Sequence, residues 1–355
     1  MRQFSTRLRL TASLAFLAAS VCLLAAASPA TARTLVDMAG RTVNAPDAPK
    51  RVYALSPPDA LLVYALDPCL LAGWNFPQTA PDGQLAPCTR DLPVLGGFFG
   101  QGMTPNKEAL LKAAPDLAIS GSMAGPHQEF ESFFADAGIP VARIVSNSPQ
   151  SYPAALRFLG GLLGKKERGE ALAAYADAAF AAISRGVAGI PADKRVSVYY
   201  AEGGDGLFTD GRGSFHTQLI ELAGGVNVHP APQSRRYGMD KVAMETVIGY
   251  APQVILAQDE KCRDMILASP LWKDIPAVRA GRVLLLPDLP FNWFDRPPSF
   301  MRILGAKWLA NALYPDVFPY DMVRETREFF KLFLGRDLTG AEAAAYFAQK
   351  PVGQP

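Results

Sequence analysis

The sequence is short of charge, histidine and cysteine. Only 19% of its 355 residues are charged, and 35 Lys and Arg nearly cancel 33 Asp and Glu, leaving a formal net charge of +2. No basic field of the kind that draws nucleic acid is present, so no nucleic-acid partner is expected. Three His and four Cys leave little for a Cys/His zinc cluster. The His, at 127, 216 and 229, form neither an i, i+4 pair nor an H-x-H. Neither G-x-S-x-G nor H-E-x-x-H occurs, and with so few His to act as base no enzyme is expected. The Gly-rich stretch Gly96 to Gly102 lacks the Lys-Ser/Thr ending of a P-loop. Past the amino terminus no run reaches about 18 uninterrupted apolar residues, so no further span is expected. What the chain has is apolar bulk, 49% of residues, which excludes a disordered class. Its length fits about two domains.

The first 32 residues read as a signal peptide. Arg2, Arg7 and Arg9 open it, an apolar run follows to about Ala27, and Ala30 and Ala32 supply an A-x-A cleavage site. A membrane anchor is the competing reading, but the run is rich in Ala and Ser and ends in small residues. Ala19-Ser-Val-Cys22 is a poor lipobox. Cleavage after Ala32 lowers the net charge from +2 to −1 and implies export to the periplasm. Export permits disulfides. Cys69 and Cys88 flank one loop-like stretch and are the expected pair, with Cys262 left as a small buried residue.

Short apolar runs alternate with helical segments. Strands are expected at Arg51–Leu55, Leu70–Trp74, Asp116–Ser120 and Val141–Val145, with a helix from Ala60 to Leu66. From Tyr152 to about Arg185 the Ala/Leu spacing predicts a helix of about thirty residues, with a break near Gly160, Gly161 and Gly164. The first pattern then returns, with strands at Arg195–Tyr200, Val254–Ala257 and Arg282–Leu286. Helices are expected at Phe215–Ala223, Phe300–Leu313 and Asp321–Leu334. Alternation of this kind predicts parallel sheets covered by helices. There is also an internal echo. Asn106 to Ile119 resembles Ala243 to Ile255: in each a Glu opens a short helix, Ala-Pro ends it, and an apolar strand follows. Glu108 to Pro115 and Glu245 to Pro252 have the same spacing. The expected fold class is α/β: two similar lobes with mainly parallel sheets, joined by one long helix. The expected divisions are signal peptide 1–32, first lobe 33–150, bridging helix 151–190, and second lobe with C-terminal helices 191–355.

Six segments carry a resemblance: Pro49–Ser56, Glu108–Pro115 followed by Asp116-Leu117, Leu222–Asn227, Glu245–Pro252, Ala277–Val283, and Asn292–Arg296. In this order they resemble the periplasmic substrate-binding proteins that serve ABC importers of iron-siderophores, haem and cobalamin. The resemblance spans essentially the whole mature chain. It implies two lobes bridged by a rigid helix, a ligand between them, and one Glu on each lobe docking onto Arg residues of a permease dimer in the inner membrane. Those would be Glu108 and Glu245, although a helix-opening Glu is also favoured by the macrodipole alone. A monomer is expected.

Ligands bind outside the carboxyl ends of strands in open α/β sheets, which selects the cleft loops. The candidate contacts in or beside them are Trp74, Phe98, Phe99, Glu202, Phe208, His216, Arg235, Arg236, Tyr237, Trp293 and Arg296. Aromatic walls with a few Arg suit a large, partly apolar ligand carrying negative charge. Phe98 and Phe99 are adjacent, so at most one faces the ligand. Arg296 has a structural ion pair with Asp295 or Asp288 as its alternative. His216 either completes a chelated metal's coordination or caps and packs. With no set of protein groups for a bare metal ion, the expected ligand is an already wrapped metal, an iron(III)-siderophore first. Cobalamin, haem, a nickel chelate and molybdate or tungstate are the alternatives. No cofactor is expected.

Overall fold

The computed structural model describes residues 32–98, 104–121, 127–231 and 238–349. The signal-peptide reading therefore falls outside the described residues except for Ala32. The chain opens with an antiparallel hairpin, β1 (Ala32–Val36) and β2 (Thr42–Pro46), that the sequence reading did not contain. Asp37 holds its turn by accepting from the backbone of Ala39 and Arg41.

The first sheet has the order β3-β4-β5, all parallel, from Val52–Ala54, Leu117–Ser120 and Val141–Arg143. The second has the order β11-β10-β6-β8, also parallel, from Val283–Leu285, Val254–Ala257, Ser197–Ala201 and Val226–Asn227. The central strands β4 and β10 are buried throughout, as a parallel sheet covered on both faces requires. Leu70–Trp74 is not a strand. It makes only isolated bridges, Val52 to Leu71 and Trp74 to Val94, because Pro68 opens a 3₁₀ turn there. The helix expected at Phe215–Ala223 shortens to Gln218–Leu222.

Helix α1 (Pro57–Leu66) follows β3, and α2 (Lys107–Ala113) leads into β4. The chain then passes α3 (His127–Asp136) and reaches the middle segment. The break expected near Gly160, Gly161 and Gly164 divides it into two helices, α4 (Tyr152–Leu162) and α5 (Lys166–Ala188). Gly164, at φ +69°, turns the chain between them. The helices fold back on each other, with Arg157 on α4 paired to both Glu170 and Asp177 on α5. Glycine on both sides lets them touch: a Cβ at Gly160 would lie 2.9 Å from Gly169 Cα. The long connection between the two sheets is thus the 23-residue α5.

In the second lobe come α6 (Gln218–Leu222), the β7–β9 ribbon (Phe208–Thr209 with Asp240–Lys241), α7 (Met244–Tyr250), α8 (Glu260–Ala268) and α9 (Pro276–Arg279). Three helices close the chain: α10 (Arg302–Leu313), α11 (Met322–Leu334) and α12 (Gly340–Phe347). One apolar core includes α1, α4, α5, strands of both sheets, α10 and α11. Helix α11 packs on α1, and Arg168 of α5 donates to Ala65 O and Phe333 O, clamping all three together. Cys69 and Cys88 are joined by a disulfide, and Cys262 is free and buried.

The sequence echo extends to three dimensions. Helices α2 and α7 are both seven residues long, and both end on an alanine in the left-handed region, Ala114 at φ 46° and Ala251 at φ 45°. Asp116 N–H donates to Arg51 O while its carboxylate accepts from Arg51 N–H; Gln253 and Ser197 repeat both bonds. The first strands match as well: Tyr53 Oη donates to Gly96 O at 2.9 Å, and Tyr199 Oη to Gly206 O at 3.0 Å.

Candidate functional site

A cavity of about 230 Å³ opens between the lobes. Its first-lobe wall comes from α1 (Pro57, Ala60, Leu61) and the loop Trp74 to Ala80; its second-lobe wall comes from Gln258, Asp259 and the loop Asp288 to Pro297. Gln258 and Asp259 follow β10, and the Asp288 loop follows β11. The cavity thus sits beyond the carboxyl ends of the strands, where ligands of open sheets bind. Phe291 of the second lobe lines it and reaches across to the first lobe. Its ring packs edge-on to Tyr64 at 5.2 Å and tilts against Trp74 at 6.5 Å.

Of the aromatic candidates, Trp74 lines this cavity. It is fixed in place by its indole N–H, which donates to Thr89 O at 3.0 Å. Trp293 does not. It is fully buried, donates to Leu289 O, and lies under α10, where a Cβ at Gly305 would sit 1.9 Å from Trp293 O. Phe98 is drawn the other way, into a cluster with Phe130, Phe133 and Phe134 in the first lobe's own core. Phe208 lies outside the cavity lining, with the Lys241 ammonium 4.3 Å from its ring centre. Phe99, Arg235, Arg236 and Tyr237 lie outside the described residues. Phe76, Phe291 and Asp259 also line the cavity; they were not among the candidates, although they lie in loops at the strand ends, and Asp288 had entered only as an alternative partner of Arg296.

Arg296 lines the cavity and is held from behind. Its Nε donates to Glu202 Oε1 at 2.5 Å and its Nη2 to Asp210 Oδ2 at 2.8 Å; Asp295 Oδ2 lies 3.6 Å from Nε. The three carboxylates are fully buried, while Arg296 keeps about a fifth of its side chain exposed. Arg296 itself takes φ +54°, a region that non-glycine residues enter rarely. Burial alone would lower its pKa, but Asp295 and Glu202 outweigh it and hold the guanidinium charged. Burial pushes the Glu202 carboxyl up to about 8, against the pull of Arg296. Asp210 is further fixed by Ser214 Oγ at 3.2 Å, and Asn227 donates to its carbonyl at 2.8 Å. A Cβ at Gly238 would fall 2.0 Å from Asp210 Oδ1, so the chain can close over this cluster only at a glycine.

His216 is not a cavity residue. It is 5% exposed and bonds through Nδ1 to Asp295 Oδ2, so it fixes the carboxylate beside Arg296. Glu202 likewise acts behind the wall rather than in it. Among the described residues no group of three His, Cys, Asp or Glu is arranged to hold a metal ion.

The facing lobe has its own buried carboxylate, Asp59, which the sequence reading missed as a fixed point. It accepts from Ser56 Oγ at 2.5 Å, Gly121 N–H at 2.8 Å and Ser146 Oγ at 3.1 Å. These groups lie just past the ends of β3, β4 and β5, so one side chain ties three strand ends beside the cleft. Burial pushes its pKa up to about 6. Glu108 and Glu245 stand elsewhere, exposed in the first turns of α2 and α7.

Among the described residues no helix is long and apolar enough to cross a membrane. The chain is similar along 89% of its length to an ABC transporter solute-binding protein from Sulfurospirillum deleyianum, covering 99% of that chain at 37% identity with a TM-score of 0.84. It is 26% identical to the molybdate-binding protein MolA of Haemophilus influenzae over 85% of this chain and 90% of that protein. It is 27% identical to a vitamin B12-binding protein of Salmonella choleraesuis over 74% of this chain and 90% of that one. The sequence profile described as periplasmic binding protein matches residues 91–289. With two parallel-sheet lobes, a connecting helix and a cleft at the strand ends, the chain belongs to the periplasmic binding protein family of ABC importers.

Proposed function

We propose that this chain captures a small oxyanion, of the molybdate and tungstate kind, in the cleft between its lobes and delivers it to an ABC permease. The observation that carries this reading is the size of the cavity that the described residues of the two lobes leave between them. At about 230 Å³ it lies below the range of about 300–1,000 Å³ typical of drug-sized ligands, and well short of enclosing haem or cobalamin. Arg296 reaches the wall with Nε and Nη2 already donating to Glu202 and Asp210, and the rest of its guanidinium is the kind of group that recognises oxygen anions. Similarity to a molybdate-binding protein over 85% of the chain supports the same ligand class. The aromatic wall of Trp74, Phe76 and Phe291 favours a second reading, an iron(III)-siderophore gripped by one apolar face. Binding proceeds without turnover: Cys262 is buried and its thiol is pushed up to about 12, far from a reactive thiolate. Glu108 and Glu245 are the proposed contacts with the permease.

The test is a titration of the mature protein, followed by tryptophan fluorescence and calorimetry, with molybdate, tungstate, a ferric hydroxamate, a ferric catecholate, haem and cobalamin. Saturable one-to-one binding of molybdate or tungstate is expected. Trp74→Phe should remove the fluorescence response and Trp293→Phe should keep it. Binding of an iron chelate, haem or cobalamin with no response to either oxyanion would overturn the ligand assignment.

A further inference from the structure

Seven large apolar side chains are exposed among the described residues, and two of them occupy matching positions in the two lobes. Leu111 is 50% exposed on α2 and Ile248 is 54% exposed on α7. Each stands three residues after the exposed glutamate of its helix, Glu108 and Glu245. Each follows a fully buried residue, Leu110 or Val247, that anchors the helix to its lobe. Each helix then ends on the left-handed alanine and passes through proline into the central strand of its sheet. The two helices share little sequence beyond this frame. Asn106 caps the first through its side chain, whereas Ala243 at the matching place makes no such cap. The duplicated surface is therefore a carboxylate next to a bare aliphatic side chain.

We propose that Leu111 and Ile248 are the apolar halves of two equivalent docking patches for one membrane partner. That partner has two-fold symmetry, and each of its halves presents a cation beside an apolar side chain. A single chain with the same patch on both lobes is matched by two copies of one surface, as in symmetric assemblies. Carboxylates at the patch steer encounter and set register, while burial of the aliphatic side chains supplies affinity that salt does not screen. This inference rests on the importer reading above and adds to it the residues that bear the salt-independent part of docking.

The experiment uses the mature full chain and the permease complex of its own organism in lipid nanodiscs. Docking is measured by biolayer interferometry at low and high salt. Leu111→Ser combined with Ile248→Ser should weaken docking about tenfold or more at both salt concentrations. The loss from Glu108→Gln combined with Glu245→Gln should shrink at high salt. Leu271→Ser with Val317→Ser, exposed apolar positions outside the duplicated frame, should change nothing. Thermal melts and molybdate titrations of all variants should match the wild type. Docking of the Leu111/Ile248 variant within twofold of wild type would overturn the proposal, as would an equal loss from the Leu271/Val317 pair. A wild-type chain that binds molybdate but not the permease overturns the docking patches alone. One that binds the permease but not molybdate overturns the ligand assignment and leaves the docking patches standing.

Discussion

Replacing Glu202 by Gln separates two opposed influences on the cleft wall. The wild-type carboxyl is fully buried, and burial moves it from an ordinary value of 4.5 to about 8, while Arg296 at 2.5 Å pulls the other way. A carboxyl whose pKa is higher folded than unfolded binds more protons in the folded state. Its contribution to stability is complete below about 4.5 and is lost as pH rises through about 8. Each pH unit in that window is worth about 1.4 kcal/mol, so the wild type should lose roughly 4 kcal/mol from this group between pH 5 and pH 8. Glu202→Gln has no such proton, and its carbonyl still accepts from Arg296 Nε. The variant should match the wild type to within about 1 kcal/mol at pH 5, the scale of one hydrogen bond. It should exceed the wild type by about 3–4 kcal/mol at pH 8. Urea unfolding followed by tryptophan fluorescence at pH 5, 6, 7 and 8 gives the difference directly. A difference that stays flat with pH would refute the reasoning, because Arg296 would then be keeping the carboxylate ionised throughout.

Two further outcomes follow from packing and cross-linking. Gly305→Ala drives a methyl to within 1.9 Å of Trp293 O, so α10 must lift from the cleft loop; a loss of about 3 kcal/mol is expected in the same urea assay. Cys88→Ser opens a loop closed over a separation of 19 residues and should cost about 3 kcal/mol. The wild type under dithiothreitol should fall to the same midpoint.

The strands were legible because both sheets are parallel and buried, so β3, β4, β6 and β10 stand out as short apolar runs. The duplication of the two lobes was legible because the turn chemistry repeats, Glu first and Ala-Pro last. Side-chain direction in loops was not. Trp293 and Phe98 sit in loops at the correct edge of their sheets, yet each turns inward. What decides this is remote: the missing side chain of Gly305 for one, and three phenylalanines of α3 for the other. Asp59 was hidden for the same reason. In sequence it is an acid in the first turn of a helix, an ordinary place for one, and its partners Gly121 and Ser146 lie 62 and 87 residues away. Arg296 was marked, but the carboxylates named as its alternative partners were Asp295 and Asp288. The two at hydrogen-bond distance, Glu202 and Asp210, come from a strand end and a ribbon far upstream.

The clamp of α11 on α1 has a consequence for the order in which the protein can be built. Helix α1 is laid down within the first fifth of the chain, and the surface that covers it arrives near the end, carried by Phe329, Phe330 and Phe333. Arg168, midway, needs Ala65 O and Phe333 O together to satisfy its guanidinium. The first sheet has a core of its own on one face, with Tyr53, Leu95, Phe130 and Phe134. The face of α1 that α11 covers has no such local partner, so it stays open until the last helices have been made.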